Sequence, residues 1–326
     1  MDGGLTGQRV AVLVTGVGST TALAVIKGLR QASEPFHIIG TDTHESHQIA
    51  GSSFCDAFYT VPPAVDSGFG DRLLEICQRE CVQGLIPIVD PELEVMAKQR
   101  QRFSEQGVTV IVSDVSVIQT CNDKLATAHW FAQHEVLTPQ TWLVSQVQPD
   151  SIPLPVVIKP RRGVGSVGVH VARSRNQLHE ALRQVPDGVV QAYVAGPEYT
   201  IDVLCDLQGQ DLVAVPRERQ EVRAGISYKG RTVVHEGLVA EARRIAHELP
   251  IKGPCNIQCR IENEVPRFIE VNPRFSGSLP LTTAAGVNMP RLTLEMALGR
   301  EVDTQSLRYR LGVTMTRYWQ EVFYED

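Results

Sequence analysis

Long apolar runs are missing from these 326 residues. None reaches the ~18 positions that a bilayer-crossing helix needs, so no transmembrane span is expected. The opening Met1-Asp2-Gly3-Gly4 carries no basic stretch followed by an apolar segment, so no secretory signal is expected and the chain reads as cytoplasmic. Cysteine is sparse: seven in all, with no CxxC and no HxxxH. Cys77/Cys81 and Cys255/Cys259 each have three residues between them. Without further ligands such pairs are expected to be reduced, mostly buried thiols rather than a disulfide framework or a zinc site. A basic excess is also missing. Thirty-one Lys and Arg stand against 37 Asp and Glu, a net charge of −6, with pI near 5.9. That excludes a general nucleic-acid or anionic-membrane surface and leaves room only for a local basic pocket. GxxxxGK[ST] is absent, which excludes a P-loop. There is no internal repeat and no low-complexity tract.

What is present is ordinary globular material. The chain is 43% hydrophobic and 21% charged, with a mean hydropathy of −0.08, enough to build a core. At roughly 100–200 residues per domain the length suits two or three. Up to about 115, strands and helices alternate. Strands are expected at Arg9–Thr15, Phe36–Asp42, Asp56–Val61, Gly84–Asp90 and Val108–Ser113, and helices at Thr20–Arg30, Phe69–Glu80 and Glu92–Phe103. Continuous apolar runs such as RVAVLVT suit buried parallel strands, so this half predicts a doubly wound parallel sheet. Beyond it the pattern becomes α+β. A helix is expected at Asp123–His134, and a strand at Val156–Lys159 runs into a glycine-rich turn. Strands follow at Val189–Val194, Tyr199–Asp206, Asp211–Val215, Pro254–Ile261 and Arg267–Asn272, with helices at Glu236–Glu248 and Pro290–Leu298.

Two glycine motifs invite a nucleotide. The first, Gly16-x-Gly18-x-x-Thr21, lacks the third glycine of a dinucleotide fingerprint, and two glycines suit any tight strand-to-helix turn. The second carries more chemistry. Val157-Ile158-Lys159-Pro160-Arg161-Arg162 places a lysine at the end of an apolar strand, before a flexible loop with glycines at 163, 165 and 168. Backbone N–H groups of such a loop can fold over phosphate oxygens while Lys159 supplies a point charge; a hairpin with solvated basic residues has the same pattern.

A third constellation lies at 255–274. If Asn263–Val265 is a hairpin loop, Gln258 faces Glu270 and Asn256 faces Asn272. Side chains alternate along a strand, so Asn256, Gln258, Arg260, Glu270, Asn272 and Arg274 share one face, and Ile257, Cys259, Ile261, Ile269 and Val271 share the apolar other. An oxygen cluster of Gln, Glu and Asn suits a hard cation such as Mg2+, which draws further ligands from water and substrate phosphates. The adjacent arginine suits charge stabilisation in phosphoryl transfer.

Together these residues resemble the ATP-grasp superfamily, in the branch similar to the carbamoyl-phosphate synthase large subunit and to amide-forming ligases. The segments that carry the resemblance are Val12–Gly16 with Asp42, Asn122-Asp123-Lys124, Val157–Pro160 with the glycine loop, Gly253–Gln258 and Ile269–Arg274. It implies an α/β plus α+β chain: an N-terminal Rossmann-like pre-ATP-grasp domain over 1–115, then a two-lobed ATP-grasp domain. The N-terminal lobe with a glycine-rich lid would cover 116–190, and the C-terminal lobe with metal and acceptor sites 191–326. The resemblance also implies ATP and Mg2+ (or Mn2+) as cofactors. Lys124 and Lys159 would hold phosphates, with Gly163, Gly165, Ser166 and Gly168 in a mobile lid above them. Gln191, Ala192, Tyr193 and Val194 would frame adenine, and Glu198 would bind ribose. Gln258, Glu270 and Asn272 would ligate metal, and Arg274, with Lys159, would be catalytic. Two departures stand out: Gln191 and Gln258 occupy positions where many relatives carry acids.

The reaction implied is ATP-dependent joining of a small carboxylate to an amine or ammonia through an acyl phosphate, with no nucleic-acid or membrane partner and a homodimer as the family's usual state. A carbamoyl-phosphate-synthase-like module acting on bicarbonate, a non-catalytic ATP-binding partner protein and an NAD(P)-dependent oxidoreductase are the rivals. For the acceptor pocket the candidates are Arg217, Arg223, Lys229 and Ser276. The charge alternation over 217–229 equally fits an exposed strand and loop. His170 and His235 are expected to be structural. The apolar run of Met315, Tyr318, Trp319, Phe323 and Tyr324 is expected in the core.

Overall fold

The computed structural model describes residues 9–325 apart from 164, 166, 224, 305 and 306. Strands β1 (Ala11–Val14), β2 (His37–Asp42), β3 (Ala57–Thr60), β4 (Val82–Ile86) and β5 (Thr109–Val110) form a parallel sheet in the order β3-β2-β1-β4-β5. β1 is buried at every position, as a strand covered on both faces must be. Helices α1 (Thr20–Arg30), α2 (Phe69–Arg79) and α3 (Asp90–Ser104) cover the sheet. α1 begins where the Ser19 hydroxyl accepts the Ala22 N–H, and it ends on Lys27 and Arg30, which complement the carboxyl end of the helix.

The glycine turn after β1 is closed by its own chain. The Gly18 N–H donates to Asp42 at 2.8 Å. Segment 49–51 packs over the turn so closely that a Cβ on Gly51 would overlap the Val17 carbonyl oxygen. A pyrophosphate would have to occupy that space, which counts against the dinucleotide reading.

Helices α4 (Val115–Asn122) and α5 (Lys124–Gln133) lead to an antiparallel sheet of β6 (Thr141–Leu143), β7 (Val156–Pro160), β8 (His170–Ala172) and β9 (Gly188–Ala192), ordered β6-β9-β7-β8 and backed by α6 (Arg175–Gln184). The division at 190/191 falls inside β9. The largest sheet is antiparallel: β10 (Glu198–Cys205), β11 (Asp211–Arg223), β12 (Ile226–Thr232), β13 (Pro254–Glu262), β14 (Val265–Asn272) and β15 (Thr314–Thr316), ordered β14-β13-β10-β11-β12-β15. Helix α7 (Glu236–Glu248) packs on its apolar face, where Ile201, Leu238, Ile245, Ile257 and Val271 share one core. His235 caps this helix by accepting the Leu238 N–H. Helices α8 (Leu279–Ala284) and α9 (Met289–Ala297) then return to the first sheet, and Phe275, Leu279 and Leu292 join Val25 and Leu29 of α1 in a single core. The last third of the chain therefore clamps the large sheet to the first one.

Three expectations need correction. The pairing Asn256↔Asn272 and Gln258↔Glu270 is as expected, but the register then shifts to Cys259↔Phe268. Ile269 is the extra residue of this bulge. Phe268 consequently takes the core position, and Ile269 lines the polar side instead. The stretch 217–229 is strand, as one reading had it, but not uniformly exposed: β11 is 13 residues long and pairs with β12, and Arg217 is 1% exposed while Arg223 and Lys229 are exposed. The C-terminal aromatics are not in the core: Tyr318, Trp319 and Phe323 are all at least 80% exposed, and β15 is a short edge strand that ends before them. Five of the seven cysteines are buried and all are free thiols; Cys81 is exposed. Among the described residues no helix is long and apolar enough to cross a membrane.

Gly51→Ala should cost about 1–3 kcal/mol, the range for forced overpacking. A urea midpoint equal to that of the native chain would show that segment 49–51 does not bear on the turn.

Candidate active site

A cleft of about 630 Å³ opens where the three sheets meet. The first sheet contributes the ends of β1 and β4, through Thr20, Ile88 and Asp90. That is the switch point at which strand order reverses, the usual place for a ligand crevice in an open parallel sheet. The four-stranded sheet contributes Lys159 and Gln191, and the large sheet Glu198, Gln258 and Glu270.

One end is built around Lys159. It is buried, and its Nζ donates to Gln191 Oε1 at 2.9 Å. Gln191 Nε2 donates in turn to Thr141 Oγ1, so the Gln191 amide is committed at both ends. Burial pushes the Lys159 amine down to about 8, partly offset by Glu270 and reinforced by Lys124. Lys124 opens α5 beside Asp123, whose carboxylate accepts the Leu125 and Ala126 N–H groups. That carboxylate also takes Arg161 Nε, so Asp123 fixes both the lysine and the base of the glycine loop. Lys124 Nζ reaches the Gly163 carbonyl at 3.1 Å. Gly163 and Gly165 line the cleft with left-handed φ values of +156° and +67°, conformations that favour glycine. Gly168 closes the loop against Pro160. Ser166 lies outside the described residues.

Tyr193 and Val194 line the cleft beside β9. Glu198 begins β10 and is held at both oxygens, by Arg219 at 2.6 Å and Arg260 at 2.7 Å. Arg219 also donates to Gln258 Oε1 at 3.0 Å and to the Gly225 carbonyl. Glu270 is half-buried in the wall of the cleft. Burial alone would raise its carboxyl, but Lys159, Lys124 and Arg274, with a hydrogen bond from Asn272, hold it below the usual carboxylate range. Asn272 Nδ2 donates to Glu270 and to Asn256, and its Oδ1 accepts from Arg274. Arg274 grips Asp90 of the first sheet through Nε at 2.9 Å and Nη2 at 3.2 Å.

The acceptor candidates separate. Ser276 lines the cleft. Arg217 lies beneath it in a buried pair, donating through Nη2 to Asp202 at 2.6 Å and to Ser276 Oγ at 2.9 Å, while Thr282 donates to the other Asp202 oxygen at 2.5 Å. Arg223 and Lys229 stand outside the cleft, both paired with Glu221. Two residues of the site escaped the sequence reading. Arg219 was hidden in the charge alternation of 217–229. Asp90 is 184 residues from its partner, and its only local mark is an acid opening a helix before Pro91.

Residues 12–111 match a family model described as a PylC-like N-terminal domain. Residues 184–319 match one described as ATP-grasp in the biosynthetic pathway with Ter operon. The chain belongs to the ATP-grasp superfamily. It is 26% identical over 264 residues to a carbamoyl-phosphate synthase of Methanobrevibacter smithii, covering 75% of this chain and 70% of that one. To the carbamoyl phosphate synthase large chain of Methanosarcina barkeri it is 23% identical over 297 residues. There it covers 83% of itself but only 27% of the relative, so it spans about a quarter of such large chains. Solved ATP-grasp structures share the fold. The biotin carboxylase domain of Hydrogenobacter thermophilus 2-oxoglutarate carboxylase, solved with MgADP and bicarbonate, superposes with a TM-score of 0.73 at 17% identity, over 91% of this chain and 71% of that one. An L-amino acid ligase of Bacillus licheniformis gives 0.68 at 17%, over 93% and 78%.

The ATP-grasp cleft fits a hard divalent cation in its donor chemistry. Gln258, Glu270 and Asn272 present oxygens and no sulfur or imidazole, and Glu270 is kept ionised. No cluster of three His, Cys, Asp or Glu exists among the described residues, so Glu270 is the one acid of this set and further anionic ligands would come from phosphate.

Arg217→Met would leave Asp202 buried and unpaired, and should cost about 3–5 kcal/mol in urea unfolding. Adding Asp202→Asn should recover part of that loss; strictly additive losses would show that the two residues are not coupled.

Proposed function

We propose that this chain is an ATP-dependent ligase that activates a small carboxylate as an acyl phosphate and passes the acyl group to an amine or ammonia. The observation that supports it most is Glu270: an ionised, half-buried carboxylate facing two lysines and an arginine, beside a glycine loop. An anion so surrounded is suited to organising a polyphosphate and its cation.

Lys124 and Lys159 hold the phosphates, with the glycines at 163, 165 and 168 placed to let the loop backbone reach them. With Gln191 turned to Lys159, the backbone of Ala192–Val194 reads adenine. Glu198 is set by Arg219 and Arg260 to receive the ribose hydroxyls. Gln258, Glu270 and Asn272 would hold Mg2+, which when bound would supply charge neutralisation on the phosphates. Arg274 orients the carboxylate, whose oxygen attacks the γ-phosphorus as the bond to ADP breaks. The amine then attacks the acyl carbon, loses a proton and expels phosphate. Catalysis is positioning and electrostatics throughout. Relatives named carbamoyl-phosphate synthase favour bicarbonate as a second reading.

Phosphorus NMR with Mg-ATP and a pool of carboxylates and amines tests this. Pool-dependent ADP and phosphate are expected, and lost in Glu270→Gln. AMP and pyrophosphate would overturn the acyl-phosphate mechanism.

Lys159 makes binding depend on pH. The amine is charged below about 8 and neutral above it, so nucleotide affinity should fall as pH rises through that value. Loss of a charge-assisted contact predicts a weakening of roughly 10-fold or more, read as the Kd of MgADP. Lys159→Arg should flatten the profile.

A further inference from the structure

The end of the cleft nearest the first sheet is electrically simple. The N-terminal sheet and its loops bring to it Ser19, Thr20, Thr21, Ile88, Val89, Asp90 and Pro91, and Asp90 is the one charged residue of that set. The facing turn brings Arg274, Ser276, Gly277 and Ser278. Hydroxyls, glycine and the apolar Ile88, Val89 and Pro91 otherwise line this end, so one cation and one anion of the lining stand together, with Arg217 and Arg317 committed behind Ser276 and Gly277. The side chains of Arg274 and Asp90 are only 19% and 14% exposed.

Resting on the ligase reading above, we propose that Asp90 and Arg274 form a zwitterion site: the carboxylate that is activated belongs to an α-amino acid, bound with its carboxylate on Arg274 and its ammonium on Asp90.

The argument is charge conservation in a desolvated place. A carboxylate ligand can take the Nε–Nη2 edge of Arg274 only by displacing Asp90. A plain acid, or bicarbonate, would then leave Asp90 beside the incoming anion, two negative charges against one guanidinium. An amino acid brings its own cation one tetrahedral carbon from its carboxylate. Exchange then leaves every buried charge partnered. Arg274 would keep its place during the exchange, because Nη1 donates to the Phe275 carbonyl and Nη2 to Asn272 Oδ1. The backbone of Asp90 is set by the start of α3, while its carboxylate is free to turn from Arg274 to an ammonium. The pair joins the first residue of α3 to the turn after β14, so it assembles only where the two walls of the cleft face each other.

The chemistry balances as for any carboxylate. An oxygen of the amino acid attacks the γ-phosphorus and ADP leaves. A nucleophile then attacks the acyl carbon, loses a proton and expels phosphate.

Hydroxylamine, used as the amine, isolates the carboxylate choice, since it captures the acyl phosphate as a hydroxamate. The full chain with Mg-ATP and hydroxylamine is assayed for ADP and hydroxamate with each proteinogenic amino acid, with the des-amino acid of each, and with bicarbonate. At least one amino acid should exceed its des-amino analogue by roughly 10- to 100-fold in kcat/KM, the worth of one charged hydrogen bond. Asp90→Asn should narrow that ratio, chiefly through KM for the amino acid. Des-amino acids as good as their amino acids, or turnover on bicarbonate alone, would overturn the zwitterion site and leave ATP-dependent carboxylate activation standing. No ADP with any carboxylate would overturn both readings. The comparison of acid with amino acid needs no variant, so it stands even if Asp90→Asn fails to fold.

Discussion

The Asp202–Arg217 pair sits beneath the cleft with both partners at most 2% exposed. Two charges so deep must find each other, and they lie on adjacent strands, β10 and β11, whose register sets Asp202 opposite Val215 and Thr200 opposite Arg217. A shift of that register by one residue would send Arg217 to the apolar side, into the core that α7 covers. The same pair reaches outward: Arg217 fixes Ser276, and Thr282 of α8 fixes Asp202. The turn that carries Arg274 is thus held from below by an ion pair and from the side by Asn256, which donates to the Arg274 carbonyl. Reactive geometry at the surface of the cleft depends on neutralised charge underneath it.

Much of the architecture was legible because burial leaves simple marks. The continuous apolar run at 10–14 can only be a strand covered on both faces, and the alternation over 254–272 aligned Gln258 with Glu270 before any coordinates. Alternation carries no sign of a bulge, however. Ile269 and Phe268 are both apolar, and only their packing decides which enters the core. The C-terminal aromatics misled for the opposite reason: hydrophobicity predicts burial only where another surface is present to cover it, and beyond β15 the chain has left the sheet.

The site was legible where function clusters along the chain and obscure where it spans the fold. Glu270, Asn272 and Arg274 announce themselves within five residues of sequence. Arg217, Arg219 and Arg223 share one alternating strand, yet they meet different fates. The first is buried in an ion pair, the second reaches the cleft, and the third lies outside beside Glu221. Local pattern cannot separate them, because what differs is the surroundings: β10 offers Asp202 and Glu198 to the first two, and the end of the β11–β12 hairpin offers Arg223 the carboxylate of Glu221 and the ring of Tyr228.

The balance of charge also accounts for the amides at 258 and 272. Glu270 stays ionised because Lys159, Lys124 and Arg274 outweigh the cost of its burial. A carboxylate at 258 or 272 would sit beside it, and two buried acids at such range push one another toward the protonated form. Gln258 and Asn272 supply the same oxygen at no charge, and their N–H groups remain free to tie the cluster together, as Asn272 does to Glu270 and Asn256. Glu198 escapes the same problem by a different route, with an arginine at each oxygen. Thus each acid in the cleft is either alone among cations or paired outright. Asp90 follows this rule through Arg274, so an anion that takes that arginine has to bring a cation for Asp90.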